Sequence, residues 1–182
     1  MLVGLLISYN VNAQGTIWRF GNNGGLKFNS DGTTSPNSGS ASSGSLAATT
    51  MTDEAGNIMF YTDGNNIWNS ANIVIKSGMY GSLNTSQAPI ILPMPGRCNM
   101  FIIFGSGSSV EYDGLALKTS LCLVTVTGTA PNYTVTPSTS EWINGYTNMD
   151  AEKLAVLADN NASNPGYWIV THGFKIKNTA IP

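Results

Sequence analysis

GNIMFYTDGNNIWN, Gly56 to Asn69, is the stretch on which the fold reading turns. A Gly-Asn turn opens it, the apolar and aromatic run Ile58 to Tyr61 follows, Asp63-Gly64 closes that run, and a second apolar run begins at Ile67. Short runs rich in Ile, Phe, Tyr and Trp between Gly- and Asn-bearing turns read as antiparallel strands. Immediately upstream, Leu46 to Thr52 is a Thr-rich strand, joined to the first run by the turn Asp53-Glu54-Ala55-Gly56-Asn57.

The same phrase returns twice. Ala88 to Leu92, the turn Pro93-Met94-Pro95-Gly96 and Asn99 to Phe104 lead into Gly105; Lys153 to Ala158, a turn around Asp159 to Gly166 and Tyr167 to Thr171 lead into His172-Gly173. The first interval is roughly 40 residues and the second is longer by roughly 25, a spacing that fits propeller blades with one loop insertion. Further strands, Ile67 to Ile75, Ala116 to Thr127 and Tyr133 to Thr136, lie between the matched segments. About four strands per unit is the arithmetic of a blade, so the expected fold is all-β: a partial β-propeller of about two to three blades of four-stranded antiparallel sheets. Pro89, Pro93, Pro95 and Pro137 fall at the ends or edges of these runs, where no ladder hydrogen bond is lost. Asn148 to Ala158 is the best place for a helix, with Asp150 able to cap it, but Lys153 to Ala158 aligns with the first strand of the repeat and is read as strand.

Ahead of the repeats, Trp18, Phe20, Leu26 and Phe28 surround Gly21-Asn22-Asn23-Gly24-Gly25, which predicts a leading hairpin within residues 15–31. Residues 32–45 are almost wholly Gly, Ser, Thr, Asn and Pro and read as a flexible loop, leaving 46–182 for the blades. Residues 1–14 carry the apolar run Met1 to Tyr9 and then Val11-Asn12-Ala13, a small-x-Ala site, and read as an export signal whose basic start is missing. That run is too short to span a bilayer, and no later stretch reads as a span.

Composition agrees with a β-rich chain. Hydrophobic residues make up 42% but charged residues only 10%, where about 25% is usual. Asn, Ser, Thr and Gly together supply roughly two fifths of the sequence, a mixture that favours turns and short strands over helices. A net charge of -2, with eight Lys and Arg scattered singly, argues against nucleic acid as a partner. Cys98 and Cys122 are open to two readings. They form either a disulfide, worth about 3 kcal/mol, or two buried free thiols.

WRFGNNGGLKFNS (Trp18 to Ser30), GNIMFYTDGNNIWN, SQAPIILPMPG (Ser86 to Gly96), EKLAVLADNN (Glu152 to Asn161) and YWIVTHGF (Tyr167 to Phe174), in that order, resemble the N-terminal region of large Bacteroidetes surface proteins. Proteins of that family carry a C-terminal type B sorting domain for type IX secretion, also called the gliding-motility-associated C-terminal domain. The resemblance implies a propeller-like region and export to the cell surface or the extracellular space. It also implies that this chain, which lacks the sorting domain, is a fragment whose partners include the remaining blades of a larger protein.

Few residues carry chemistry. His172, the single histidine, has no nucleophile or ligand set at a defined spacing around it and reads as structural. Asp63 and Asn65, in Asp63-Gly64-Asn65-Asn66, are the candidates for calcium, but the EF-hand spacing is absent and an Asp-Gly turn explains them. Asp53 reads as a carboxylate that ties its own hairpin. A propeller glycoside hydrolase needs two carboxylates flanking one pocket, and the acidic residues fall mostly in turns; only Arg19 and Arg97 could supply an arginine cluster for a sialidase-type site. Trp68, Trp142 and Trp168 are the candidates for stacking on a glycan, with packing between blades as the alternative. The expected function is an exported, non-enzymatic interaction module for a surface glycan or protein; a carbohydrate-active propeller and a non-functional remnant are the alternatives.

Overall fold

The computed structural model describes residues 16–42, 48–79, 87–109, 116–143, 149–159, 161 and 165–174. The signal reading of residues 1–14 lies outside them. Among the described residues there are thirteen strands and no helix, grouped in four antiparallel sheets that follow one another in chain order.

The first sheet joins β1 (Ile17–Arg19), β2 (Gly25–Phe28) and β3 (Thr34–Pro36). Asn22 and Asn23, at φ of 55° and 60°, supply the left-handed turn that a tight hairpin needs. Leu26 then faces Trp18 on one side and Pro36 on the other. At Gly25 any Cβ would run into the carbonyl oxygen of Asn37, so the chain after β3 returns directly over this glycine.

Of residues 32–45, read from sequence as a flexible loop, 32–42 are described, and they are held by contacts to the rest of the chain. β3 is a strand, Ser40 and Ser42 are buried, and the Arg19 guanidinium donates to the carbonyls of Ser38 at 3.0 Å and Asn37 at 3.4 Å. A chain of small polar residues has nothing of its own to bury, but its backbone acceptors can be captured by a cation supplied from elsewhere.

The second sheet is the meander β4 (Thr49–Thr52), β5 (Ile58–Thr62), β6 (Ile67–Asn69) and β7 (Val74–Lys76). Ile67 to Ile75, read from sequence as one strand, is divided by a turn. Asn72 adopts φ 63° and the Asn69 Oδ1 accepts the amides of Ala71 and Ile73, an Asx turn that ends a strand from within. The third sheet is a second meander of β8 (Ile90–Pro93), β9 (Met100–Ser109), β10 (Ala116–Thr127) and β11 (Thr134–Trp142), and the fourth pairs β12 (Met149–Asp159) with β13 (Gly166–Phe174). The segment 148–158 is thus strand from Met149 on, not helix.

Alternation along the strands shows how the sheets stack. On the second sheet, Met51, Phe60 and Ile67 share the core with Ile91, Phe101, Ile103, Cys122 and Val124 of the third, with Phe60 edge-on to Phe101 at 5.6 Å. The opposite face of the second sheet, carrying Thr50, Tyr61 and Trp68, meets the first sheet: the Arg19 amide donates to the Thr50 hydroxyl at 2.9 Å. The far face of the third sheet, with Ile102 and Phe104, borders a cleft shared with Tyr167 and Ile169 of the fourth. A run of sheets stacked face to face buries both faces of every inner member, which is why Phe60, Tyr61 and Ile67 are all 0% exposed.

Candidate functional site

Trp68 is 4% exposed and lies stacked on Tyr61, ring centroids 5.1 Å apart and planes 12° from parallel. The Arg19 guanidinium sits over the other side of this pair, 5.9 Å from the Tyr61 centroid, a cation–π arrangement. The Tyr61 hydroxyl accepts the Ala41 amide at 2.8 Å and donates to Asn72 Oδ1 at 2.7 Å. Burial pushes the Tyr61 hydroxyl above its ordinary pKa and pulls the Arg19 guanidinium below its own. Trp68 therefore belongs to the seam between the first two sheets and offers no ring face to a glycan.

Asp63 is buried, and its Oδ1 accepts the amides of Asn65 at 2.9 Å and Asn66 at 2.8 Å, while Ser42 donates to its other oxygen at 3.5 Å. An oxygen that already holds two backbone amides closes a turn. The Asn65 carbonyl accepts the Met79 amide at 2.9 Å. Among the described residues, no group of three or more His, Cys, Asp or Glu side chains gathers as a metal site.

Asp53 ties its hairpin through Oδ1, which accepts the Asn57 amide at 2.7 Å. Its Oδ2 also reaches across to the third sheet, where the Tyr133 hydroxyl donates to it at 2.6 Å. Both cysteines are free, as in the reading of two buried free thiols, but only Cys122, in β10, is buried; Cys98, in the turn before β9, is exposed. The Cys122 sulfur sits 3.6 Å from the Ser138 carbonyl, and burial pushes its thiol above the ordinary range. Trp142 pairs with Ser120 at the end of β11 and His172 lies in β13; their side chains are outside the described residues.

Among the described residues, exposed large apolar side chains gather on the first and fourth sheets, with Ile73 and Val74 also exposed at the edge of the second. On the first sheet Trp18, Phe20 and Phe28 are 50%, 42% and 37% exposed, Trp18 meeting Phe28 edge-on at 4.9 Å and 63°. On the fourth sheet Leu157 pairs with Trp168 and Ala155 with Val170, and Leu157, Trp168 and Val170 are each more than half exposed. Of the three tryptophans singled out for ligand stacking, Trp168 is placed outward and Trp68 inward. Phe20, Phe28, Leu157 and Val170 were not singled out, although the i, i+2 spacing of Trp18 with Phe20 and of Trp168 with Val170 already marks two faces.

The chain matches no family model, no curated protein and no solved structure. Its chemistry is therefore read from its own geometry. Among the described residues, Asp53 and Asp63 are committed to turns and Tyr61 and Trp68 to a sheet seam, while large apolar side chains are exposed on the first and fourth sheets. A cleft of about 650 Å³ between the third and fourth sheets, walled by Met94, Met100, Ile102, Phe104, Tyr167 and Ile169, carries one cation, Arg97, at its edge. Among the described residues, no helix is long and apolar enough to cross a membrane.

Proposed function

We propose that this chain is a run of β-propeller blades from an exported surface protein and that it works by binding, through apolar sheet faces, without catalysing a reaction. The observation that carries this reading is the face-to-face stack of antiparallel sheets in chain order, two of them four-stranded meanders, with exposed tryptophans on its outer faces. Meanders stacked in succession are the building plan of propellers, and an exposed apolar patch on a folded chain marks an interaction surface. The resemblance to surface proteins exported by type IX secretion supports the same reading and implies a binding partner, a glycan or a protein, outside the cell.

The test is retention of the full chain on immobilised polysaccharides and on cell-surface protein extracts, run beside an assay for released reducing sugar. Retention that falls at least tenfold in Trp168→Ala or Trp18→Ala, with no sugar released, supports the reading. Sugar release by the wild-type chain overturns it in favour of a glycoside hydrolase.

A further inference from the structure

A cleft of about 410 Å³ opens between the second and third sheets and is lined from the turns 53–57, 94–99 and 128–133. All three turns lie within the described residues. No residue of the first or fourth sheet lines the cleft, so it is separate from the outer faces discussed above. Its volume is that of a small-molecule site.

The inner part of the cleft is apolar. Met51, Met59, Phe101 and Val126 line it and are each less than a tenth exposed, and the two thioethers can shift to fit a guest. The outer part is acidic. Asp53 and Glu54 line it, Glu54 exposed, and among the described residues no Lys, Arg or His does. Two carboxylates with no cation beside them repel an anion and favour a cation.

Which cation follows from what the carboxylates have left to offer. The Asp53 Oδ1 accepts the Asn57 amide at 2.7 Å, and its Oδ2 accepts the Asn57 carboxamide at 2.8 Å and the Tyr133 hydroxyl at 2.6 Å. Burial opposes the charge of Asp53, but these bonds outweigh it and hold the carboxyl below its usual range, so the group is ionised at neutral pH. Asp53 therefore supplies charge while its oxygens are already engaged. A metal ion wants several oxygens at once, and among the described residues the acids and Cys98 do not gather as a metal site. A primary ammonium brings three N–H donors, each in need of an acceptor. A quaternary ammonium brings none; it is held by negative charge, apolar contact and aromatic rings, and Phe101 and Tyr133 both line this cleft.

We propose that the cleft binds a small quaternary ammonium compound, its methyl groups among Met51, Met59 and Phe101 and its charge facing Asp53 and Glu54.

Calorimetric titration of the full chain with benzyltrimethylammonium tests it, and a Kd of about 1 mM or below is expected. Choline, set beside dimethylbutanol, its neutral isostere with carbon in place of nitrogen, separates charge from shape: choline should bind about tenfold more tightly. Benzylamine, protonated at pH 7, should bind more weakly than benzyltrimethylammonium. Glu54→Gln, a change at an exposed side chain, should weaken binding several-fold with unchanged circular dichroism, and Asp53→Asn should weaken it further. The position of the ligand is read from Cys98, which lines the same cleft and is exposed while Cys122 is buried: saturating ligand should slow alkylation of Cys98 by iodoacetamide several-fold. Absence of both heat and protection at about 10 mM ligand, equal binding of choline and dimethylbutanol, or full affinity in both variants overturns the proposal. Tighter binding of benzylamine overturns the quaternary assignment, and the comparison of ligands on the wild-type chain decides the matter even where a variant fails to fold.

Discussion

The side-chain carboxamide of Gln87 is hydrogen-bonded in both directions to the backbone of Leu154: its Nε2 donates to the carbonyl at 2.7 Å and its Oε1 accepts the amide at 2.9 Å. Leu154 stands where β12 and β13 lose their register, between Asp150 and Leu154, so a side chain from the segment entering β8 takes up a strand's free backbone groups. The fourth sheet is thereby fixed to a segment far away in sequence.

Gln87→Ala leaves both backbone groups of Leu154 without this partner and is expected to cost about 1–3 kcal/mol. Gln87→Glu keeps the acceptor but sets an oxygen against the Leu154 carbonyl, so it should cost at least as much at neutral pH. Urea unfolding at pH 7, with amide exchange at Leu154, measures both; unchanged midpoints in both variants contradict the bridge.

The Asp53–Tyr133 hydrogen bond makes stability depend on pH at both ends of the scale. Burial opposes the charged carboxylate of Asp53, but the bonds from Tyr133 and Asn57 outweigh it and hold the carboxyl below the usual range. This contribution is therefore complete above the unfolded value near pH 4 and is lost as pH falls through the lower folded one. The same bond holds the Tyr133 hydroxyl above its ordinary value, so that contribution is present below about pH 10 and disappears as pH rises through the folded value. Tyr133→Phe should flatten both limbs of a plot of Tm against pH, and Asp53→Asn the acid limb most; parallel curves for all three proteins would contradict this.

Calcium should leave the chain unmoved. With Oδ1 of Asp63 holding two backbone amides, the turn is complete without an ion. A typical extracellular calcium site would add about 1–3 kcal/mol at 10 mM calcium, a shift of several degrees. Thermal melts in 10 mM calcium and in chelator should instead coincide, whereas Asp63→Ala should lower both by the same amount.

One thiol should react in the native state and two in denaturant. Cys98 is exposed and Cys122 buried, and a thiolate reagent reaches only what is accessible and ionisable. Titration with a chromogenic disulfide, before and after guanidinium, counts them directly. No reaction in either state would mean that the two are bridged, and a reducing agent should leave Tm unchanged if they are not.

Strands and turns were the legible part of the sequence, because each is written locally. Gly56 to Asn69 shows its hairpins through the positions of Gly and Asn, and Lys153 to Ala158 shows a strand through its alignment with the repeat. Where one residue's side chain changed the path, local reading was incomplete: Asn69 captures two amides and folds Ile67 to Ile75 into a hairpin, and Arg19 captures two carbonyls and orders the chain after β3. Neither capture has a sequence signature, since the donor and acceptor are brought together only by folding.

The same division runs through the candidate site. The sequence alone determined an all-β chain, poor in charge and built of repeated short hairpins, because period-two patterning and turn chemistry act over a few residues. It also singled out the tryptophans as candidates either for stacking on a glycan or for packing between blades. Which tryptophan is buried and which is open was decided only by the tertiary structure. Trp68 and Trp168 have much the same local surroundings, an aromatic residue alternating with apolar neighbours. Trp68 is covered in a seam where Tyr61 stacks on it and Arg19 of the first sheet lies over Tyr61, and Trp168 is open because no described strand lies on the outer face of the fourth. Burial is a relation between sheets distant in sequence, and the pattern of one strand carries no record of what is stacked upon it.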